Sequence, residues 1–307
     1  MPAISRRANE LGTENAFVVL AEVGALQRQG KDIVSFCIGQ PDFPTPTNVC
    51  EAGIKAINDG KHGYTPSAGI LELREAAAKY LKRTRHIDIH ADDVVVGAGA
   101  KPFIAYAIVS TTDHGVGDEV IYPVPGFPIY ESQIKAMGAV PVPIYLRESR
   151  NFSFNPAELE ARITSKTKLL ILNSPQNPTG GIIPKKDVEV IAAILRKHPH
   201  VWVFADEIYS QLCYDGEFCS LTQFPGMIER TIICDGASKT WAMTGWRLGF
   251  AANKALAPVF TRWVTNTDSC ASQISQWAAV EALNGQQDDA KKMRDSFLSR
   301  RNLIVGL

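Results

Sequence analysis

The sequence predicts an α/β protein in three layers: a mostly parallel β-sheet with helices on both faces. Short runs of β-branched residues alternate with helical patterns along most of the chain. Strands separated by helices connect by crossovers, which make neighbouring strands parallel and cover both faces of the sheet. At 307 residues with 45% apolar content, the chain can bury a large α/β core, as one big domain with extra structure or as two smaller ones. No internal repeat and no low-complexity tract interrupts the pattern.

In chain order, the N-terminal segment reads as an arm. A helical stretch from Ala16 to Arg28 leads into Ile33-Val-Ser-Phe36 and the proline-rich turn Gly39-Gln-Pro-Asp-Phe-Pro-Thr-Pro46. Candidate strands follow at Val94–Val96, Glu119–Tyr122, Leu169–Leu172, Val201–Phe204, Thr231–Cys234 and Leu248–Ala251, with helical patterns such as Ile104–Ser110 and Val188–Lys197 between them. The last residues, Ala290 to Leu307, read as an amphipathic helix with nothing after it to pack on.

Composition narrows the function classes. Lys plus Arg equals Asp plus Glu at 32 each, which gives no reason to expect nucleic acid or an anionic membrane as partner. No apolar run approaches the roughly 18 residues that span a bilayer, and the first residues show no apolar signal region. A cytoplasmic protein is expected. The six cysteines, Cys37, Cys50, Cys213, Cys219, Cys234 and Cys270, form no C-x-x-C pair and have no histidines at zinc-ligand spacing. Neither a metal site nor a disulfide framework is predicted.

Ligands of open α/β sheets gather at the carboxyl ends of the strands, and four segments at such ends carry chemistry. Val96-Gly-Ala-Gly-Ala-Lys-Pro-Phe103 is a small-residue turn from strand to helix that can aim backbone N–H groups at a phosphate. A merely structural tight turn reads equally well; the third glycine of a dinucleotide fingerprint is replaced by Pro102. Asn173-Ser-Pro-Gln-Asn-Pro-Thr-Gly-Gly181 turns sharply after an apolar strand and places Asn177 where it can donate to a ligand oxygen, or simply closes an Asx-type turn. Val201-Trp-Val-Phe-Ala-Asp-Glu-Ile-Tyr209 ends a strand on Asp206. Its carboxylate can keep a pyridine nitrogen protonated or can cap a helix, and Tyr209 lies three residues further on. Cys234-Asp-Gly-Ala-Ser-Lys-Thr-Trp-Ala-Met-Thr-Gly-Trp-Arg-Leu-Gly249 places Lys239 just after a buried strand, where an unpaired ammonium is costly. A neutral amine there can form an imine with an aldehyde. A solvated surface lysine is the ordinary alternative and fits poorly between an apolar strand and Trp241. Arg247 adds a permanently charged fork of donors suited to phosphate.

Together these segments resemble the fold-type I, class I/II aminotransferases over nearly the whole chain. S-K-T-W-A-M-T-G-W-R-L-G, N-P-T-G, A-D-E-I-Y and P-G-F-P-x-Y stand in the family's order. The resemblance implies a pyridoxal 5′-phosphate enzyme with Lys239 as Schiff-base lysine and proton carrier. It implies that Asp206 pairs with the ring nitrogen, that Asn177 and Tyr209 bond the phenolic oxygen, and that Phe127 stacks on the ring. Gly99, Ala100, Lys101, Ser238 and Arg247 would hold the phosphate, and Tyr64 would reach the phosphate of a second subunit in a homodimer. Gly39 and Asn177 would meet the substrate, an amino acid or 2-oxo acid.

It also implies an arm with part of a small domain at 1–47, a cofactor-binding large domain at 48–289 and the start of an incomplete small domain at 290–307. Two departures stand out. Gly236 replaces a serine that many relatives carry three residues before the lysine. The arginine that clamps the substrate carboxylate in relatives has no counterpart before Leu307. Two further readings keep the cofactor: a C–S or β-lyase, and a truncated cofactor-binding protein without full activity. A nicotinamide dehydrogenase would need more than Gly97-x-Gly99.

Overall fold

The computed structural model describes residues 2–307. Seven strands form one sheet: β1 (Val94–Gly97), β2 (Glu119–Val124), β3 (Val140–Tyr145), β4 (Thr167–Asn173), β5 (Trp202–Asp206), β6 (Thr231–Gly236) and β7 (Gly249–Ala252), in the order β1-β7-β6-β5-β4-β2-β3. The β3-β2-β4-β5-β6 portion is parallel, and β7 runs antiparallel between β6 and β1.

The expected mostly parallel sheet is therefore present, and each of the six candidate strands lies in it, with ends shifted by a residue or two. β3 was not among them. Its sequence, Val-Pro-Val-Pro-Ile-Tyr, has two prolines that cannot donate to a ladder, and such a strand is tolerated at an edge, where β3 sits with β2 as its one neighbour.

The helices are α1 (Arg6–Glu10), α2 (Asn15–Arg28), α3 (Thr47–Asn58), α4 (Leu71–Arg85), α5 (Pro102–Thr111), α6 (Ile129–Ala136), α7 (Pro156–Arg162), α8 (Lys185–Lys197), α9 (Ala257–Thr267), α10 (Gln273–Asn284) and α11 (Asp288–Val305). Successive strand residues point to opposite faces, and the core divides accordingly. Val95, Val120, Leu169, Ile171, Phe204, Ile232 and Ala251 pack with Phe103, Tyr106 and Phe260 on one face. On the other, Val94, Val96, Ile233 and Phe250 meet Leu73, Tyr80 and Leu81. Ile121, Leu170 and Val203 there meet Leu159, Val188 and Ile191. That is the three-layer arrangement. Burying strands on both faces is what makes them read as continuous apolar runs.

The terminal helix differs from its sequence reading. α11 does find a surface: Met293 is buried, Phe297 packs edge-on against Phe43 at 5.3 Å, and Arg300 pairs with Asp42 at 2.7 Å. The proline-rich turn after the arm supplies the contact that local sequence could not show.

Candidate active site

The topology brings the polar segments to one edge. Asn173 and Asp206 are paired at the carboxyl ends of β4 and β5, and Gly236 of β6 pairs with Gly249 of β7, which pairs with Gly97 of β1. Because β7 runs back along β6, the loop between them leaves and returns at the same edge. Lys239 and Arg247, both on that loop, thus lie beside the Gly97–Lys101 turn.

The Lys239 Nζ donates to the Gly39 carbonyl at 2.6 Å and lies 5.8 Å from the centre of the Tyr209 ring. Burial holds this amine below the ordinary lysine range; Glu14 acts against that shift, while Arg247 and Lys101 reinforce it. Asp206 is buried. Its Oδ2 accepts from the Tyr130 hydroxyl at 2.6 Å and its Oδ1 from the Ile208 N–H at 3.4 Å. Burial pushes its carboxyl up to about 6 despite those two donors. Burial also raises the Tyr209 hydroxyl, as do Asp206 and Glu14, whereas the Asn177 side chain lowers it. Phe127 stands edge-on to Tyr130 at 5.7 Å.

Arg247 takes a left-handed backbone, φ 53°, which turns its side chain across the turn to donate to Ala98 O at 3.3 Å and Thr244 O at 3.1 Å. Gly99, at φ 98°, leaves the space the guanidinium occupies: a Cβ there would collide with it. Ala100 lies against Gly249, where a side chain would strike its backbone N. Ser238 contributes its carbonyl to Met243 N at 3.1 Å. Tyr64 stands apart, 90% exposed. Gly236 has a steric reason, since a Cβ there would lie 2.8 Å from Gly249 Cα, too close for any side chain.

Three contributors had no role in the sequence reading. Asn173 donates to Asp206 O at 3.0 Å and accepts from Asn177 N at 2.8 Å, which fastens the Asn177 loop to the end of β5. Tyr130 belongs to the P-G-F-P-x-Y segment, but its hydroxyl partner lies 76 positions away.

The third contributor is a buried ionic cluster behind the site. Arg85, wholly buried, donates to Glu207 at 3.0 Å, Asp235 at 2.5 Å and Ser210 at 2.8 Å, and its guanidinium lies between the rings of Tyr80 and Phe218. Glu207 directly follows Asp206 and Ser210 directly follows Tyr209, while Asp235 precedes the lysine loop. One guanidinium therefore ties together the strand ends that carry both groups. Removing it would strand two carboxylates in the interior. We expect Arg85→Met to cost about 3–5 kcal/mol of stability, read as a lower urea midpoint. Burial already raises the Asp235 carboxyl to about 6, and losing Arg85 raises it further above its unfolded value. The folded mutant then binds more protons than the unfolded chain, so the deficit is full at pH 8 and shrinks toward pH 5.

The family model for aminotransferase class I and II matches residues 31–307. An asparagine–oxo-acid transaminase of Streptococcus mutans is 38% identical over all of this chain and 78% of its own length. An aspartate aminotransferase of Rhizobium meliloti is 35% identical over 97% of the chain and 73% of its own length. The solved structure of the aspartate aminotransferase of Thermus thermophilus with maleate superposes on the whole chain and 80% of its own, with a TM-score of 0.95 and 34% identity.

Members of such a family use pyridoxal 5′-phosphate, which asks for an anion site, a partner for its ring nitrogen and an amine. The residues present fit it. Among the described residues the Arg247 guanidinium bonds carbonyls and pairs with no carboxylate. The buried Asp206, raised toward neutrality, is the group that a cationic ring nitrogen would return to its ionised form. Burial holds the basicity of the Lys239 amine low.

Proposed function

Because this chain belongs to the class I and II aminotransferases, and so moves an amino group between an amino acid and a 2-oxo acid with pyridoxal 5′-phosphate, we propose a role for each residue at the sheet edge. Lys239 anchors the cofactor. Its amine, when not engaged in that anchor, would carry the proton away from the substrate Cα, a task that suits an amine whose basicity burial has lowered. Asp206 keeps the ring nitrogen protonated, with Tyr130 and Asn173 fixing the carboxylate and its backbone. Tyr209 and Asn177 bond the phenolic oxygen, and Phe127 covers one ring face. Arg247 holds the phosphate with the backbone of Gly99, Ala100, Lys101 and Ser238. The cofactor, when bound, supplies an aldehyde that joins an amine and a ring that accepts electrons as the Cα–H bond breaks.

Gly39, whose carbonyl already bonds Lys239, and Asn177 would meet the substrate carboxylate. The six cysteines, all free, suit a reducing cytoplasm. The observation that carries this reading is the meeting of a low-basicity lysine, a buried carboxylate and a guanidinium without an acidic partner at one strand-end edge.

The relatives' names make asparagine and aspartate the first donors to test. With either as ¹⁵N donor and a panel of 2-oxo acids, the label should appear in a new amino acid. Release of ammonia with no labelled amino acid would favour a lyase instead.

The second subunit enters through Tyr64. A tyrosine 90% exposed on its own chain suits a hydroxyl that completes the phosphate site of a partner. If so, a site needs Lys239 from one chain and Tyr64 from the other. Lys239→Ala and Tyr64→Ala proteins, each deficient alone, should then regain activity when mixed under subunit exchange, because the hybrid dimer contains one intact site. No recovery on mixing would place Tyr64 outside the site.

A further inference from the structure

Beside the lysine loop lies a cleft of about 200 Å³ that none of the residues given a cofactor role lines. Its walls come from the end of α4, the turn after Tyr209, the residues following Lys239 and the start of α11. Three of its side chains are cations, Arg83, Lys291 and Arg294, and no Asp or Glu lines it. Lys291 and Arg294 stand three positions apart on α11, so they share one face of that helix, and Arg83 joins them from α4. Among the described residues Arg83 has no carboxylate partner; its Nη2 donates to the Leu283 carbonyl at 3.4 Å. Arg294 pairs with Asp295 at 2.7 Å and Lys291 lies 3.9 Å from Asp288, but both carboxylates are exposed and lie outside the cleft. Such exposed pairs hold their cations weakly. Thr240 lines the cleft as well. It is only 6% exposed, and its hydroxyl has no hydrogen-bond partner among the described residues, where buried polar groups are ordinarily paired.

We propose that this cleft binds a small phosphate-bearing anion, inorganic phosphate or a short phosphomonoester, and that the bound anion fastens α11 to the lysine loop. Charge and geometry both favour phosphate. Its tetrahedral oxygens accept from several directions at once, which suits two guanidinium forks, an ammonium and a hydroxyl supplied by separate elements. A planar carboxylate, with two oxygens and one charge, engages fewer of these donors. Size sets the limit: at about 30 Å³ per water, the cleft has room for roughly seven water-sized groups, enough for a phosphate with a short stem and too little for a nucleotide. The cleft also borders the machinery of the active site. Trp241 Nε1, two residues after Lys239, donates to Gln287 Oε1 at 2.9 Å, and Gln287 directly precedes α11. One hydrogen bond thus already joins the lysine loop to this helix, and an anion held between Thr240, Lys291 and Arg294 adds further links. On the opposite wall, Thr84 accepts from Arg85 Nη1 at 2.7 Å, so the cleft reaches the buried ionic cluster too.

Calorimetric titration of the cofactor-loaded protein tests this, because the cofactor's own phosphate then occupies the Arg247 site. Inorganic phosphate and methyl phosphate are titrated separately at constant ionic strength. One saturable site per chain is expected, with chloride at the same ionic strength producing none. Arg83→Gln and Lys291→Gln should each weaken binding about tenfold or more, the loss of a charge-assisted bond. Lys292→Gln removes an equal charge from α11 outside the cleft and should leave binding unchanged. All three side chains are exposed on the surface, so thermal unfolding without phosphate should match the native protein. Added phosphate should raise the native unfolding midpoint more than that of Arg83→Gln. Tighter binding of methyl phosphate assigns the cleft to a phosphomonoester, and tighter binding of inorganic phosphate assigns it to the free ion. Absence of saturable binding by either anion, or equal losses in Lys292→Gln and Lys291→Gln, would overturn the proposal. Binding that survives unchanged in both Arg83→Gln and Lys291→Gln would overturn it as well.

Discussion

Lys239→Ala is expected to abolish amino transfer by this chain, with kcat lower by at least about 10³-fold, because one residue is asked to do two things. Positioned acid–base groups contribute about 10²–10⁴-fold on their own, and loss of the covalent anchor adds to that. Nothing nearby replaces it. Lys101 is the other amine of the site, and it is committed to Glu14 and to the face of Phe127. Arg247 carries a guanidinium, which cannot stand in for a lysine amine. The mutant should keep its fold, since the Lys239 side chain makes one hydrogen bond, to Gly39. Thermal unfolding of the cofactor-free mutant close to that of the native protein, together with lost activity, separates chemistry from stability.

Asp206→Ala is the second large effect. Removing one partner of a buried charge pair costs about 2–5 kcal/mol, some 30- to several-thousand-fold, and here the loss falls on the ring's capacity to accept electrons. Asp206→Asn keeps the shape and allows a test by pH. In the free protein, burial raises this carboxyl from its ordinary 3.8 to about 6. A cationic ring nitrogen favours the ionised form, so binding lowers that value again. Linkage then fixes the sign: cofactor affinity rises with pH between about 5 and 7 as the free carboxyl gives up its proton, and this gain levels off above that window. Asp206→Asn should remove that part of the dependence. A native affinity that falls across the same window, or a profile identical in the mutant, would show that Asp206 does not carry the ring nitrogen.

Much of the fold was legible because strands covered on both faces leave unbroken apolar runs, as in Leu169–Leu172 and Val203–Phe204. β3 was hidden because Pro141 and Pro143 contradict the strand pattern, and only its edge position excuses them. The direction of β7 was hidden too, since residue pattern does not record strand direction, yet that reversal is what sets Lys239 and Arg247 side by side.

In the site, Asp206, Asn177 and Lys239 could be picked out because each follows an apolar strand directly. Arg85 could not: it ends the basic run Lys82-Arg83-Thr84-Arg85, which reads as a solvated helix terminus, and its carboxylates lie 122 and 150 positions away. Glu14 was equally silent, an acidic residue in an arm whose partner is 87 positions on. Local chemistry marks what touches a ligand at a strand end, whereas support from distant elements appears only once the chain is folded. Gly236 shows the converse: a departure from the family pattern becomes a necessity once Gly249 lies against it.

The most direct test of the account is to reduce the cofactor-loaded protein with borohydride, digest it and locate the pyridoxyl group by mass spectrometry. The account predicts one modified peptide, carrying the group on Lys239. Modification of Lys101 or another lysine instead, or none at all in protein that retains bound cofactor, would contradict it.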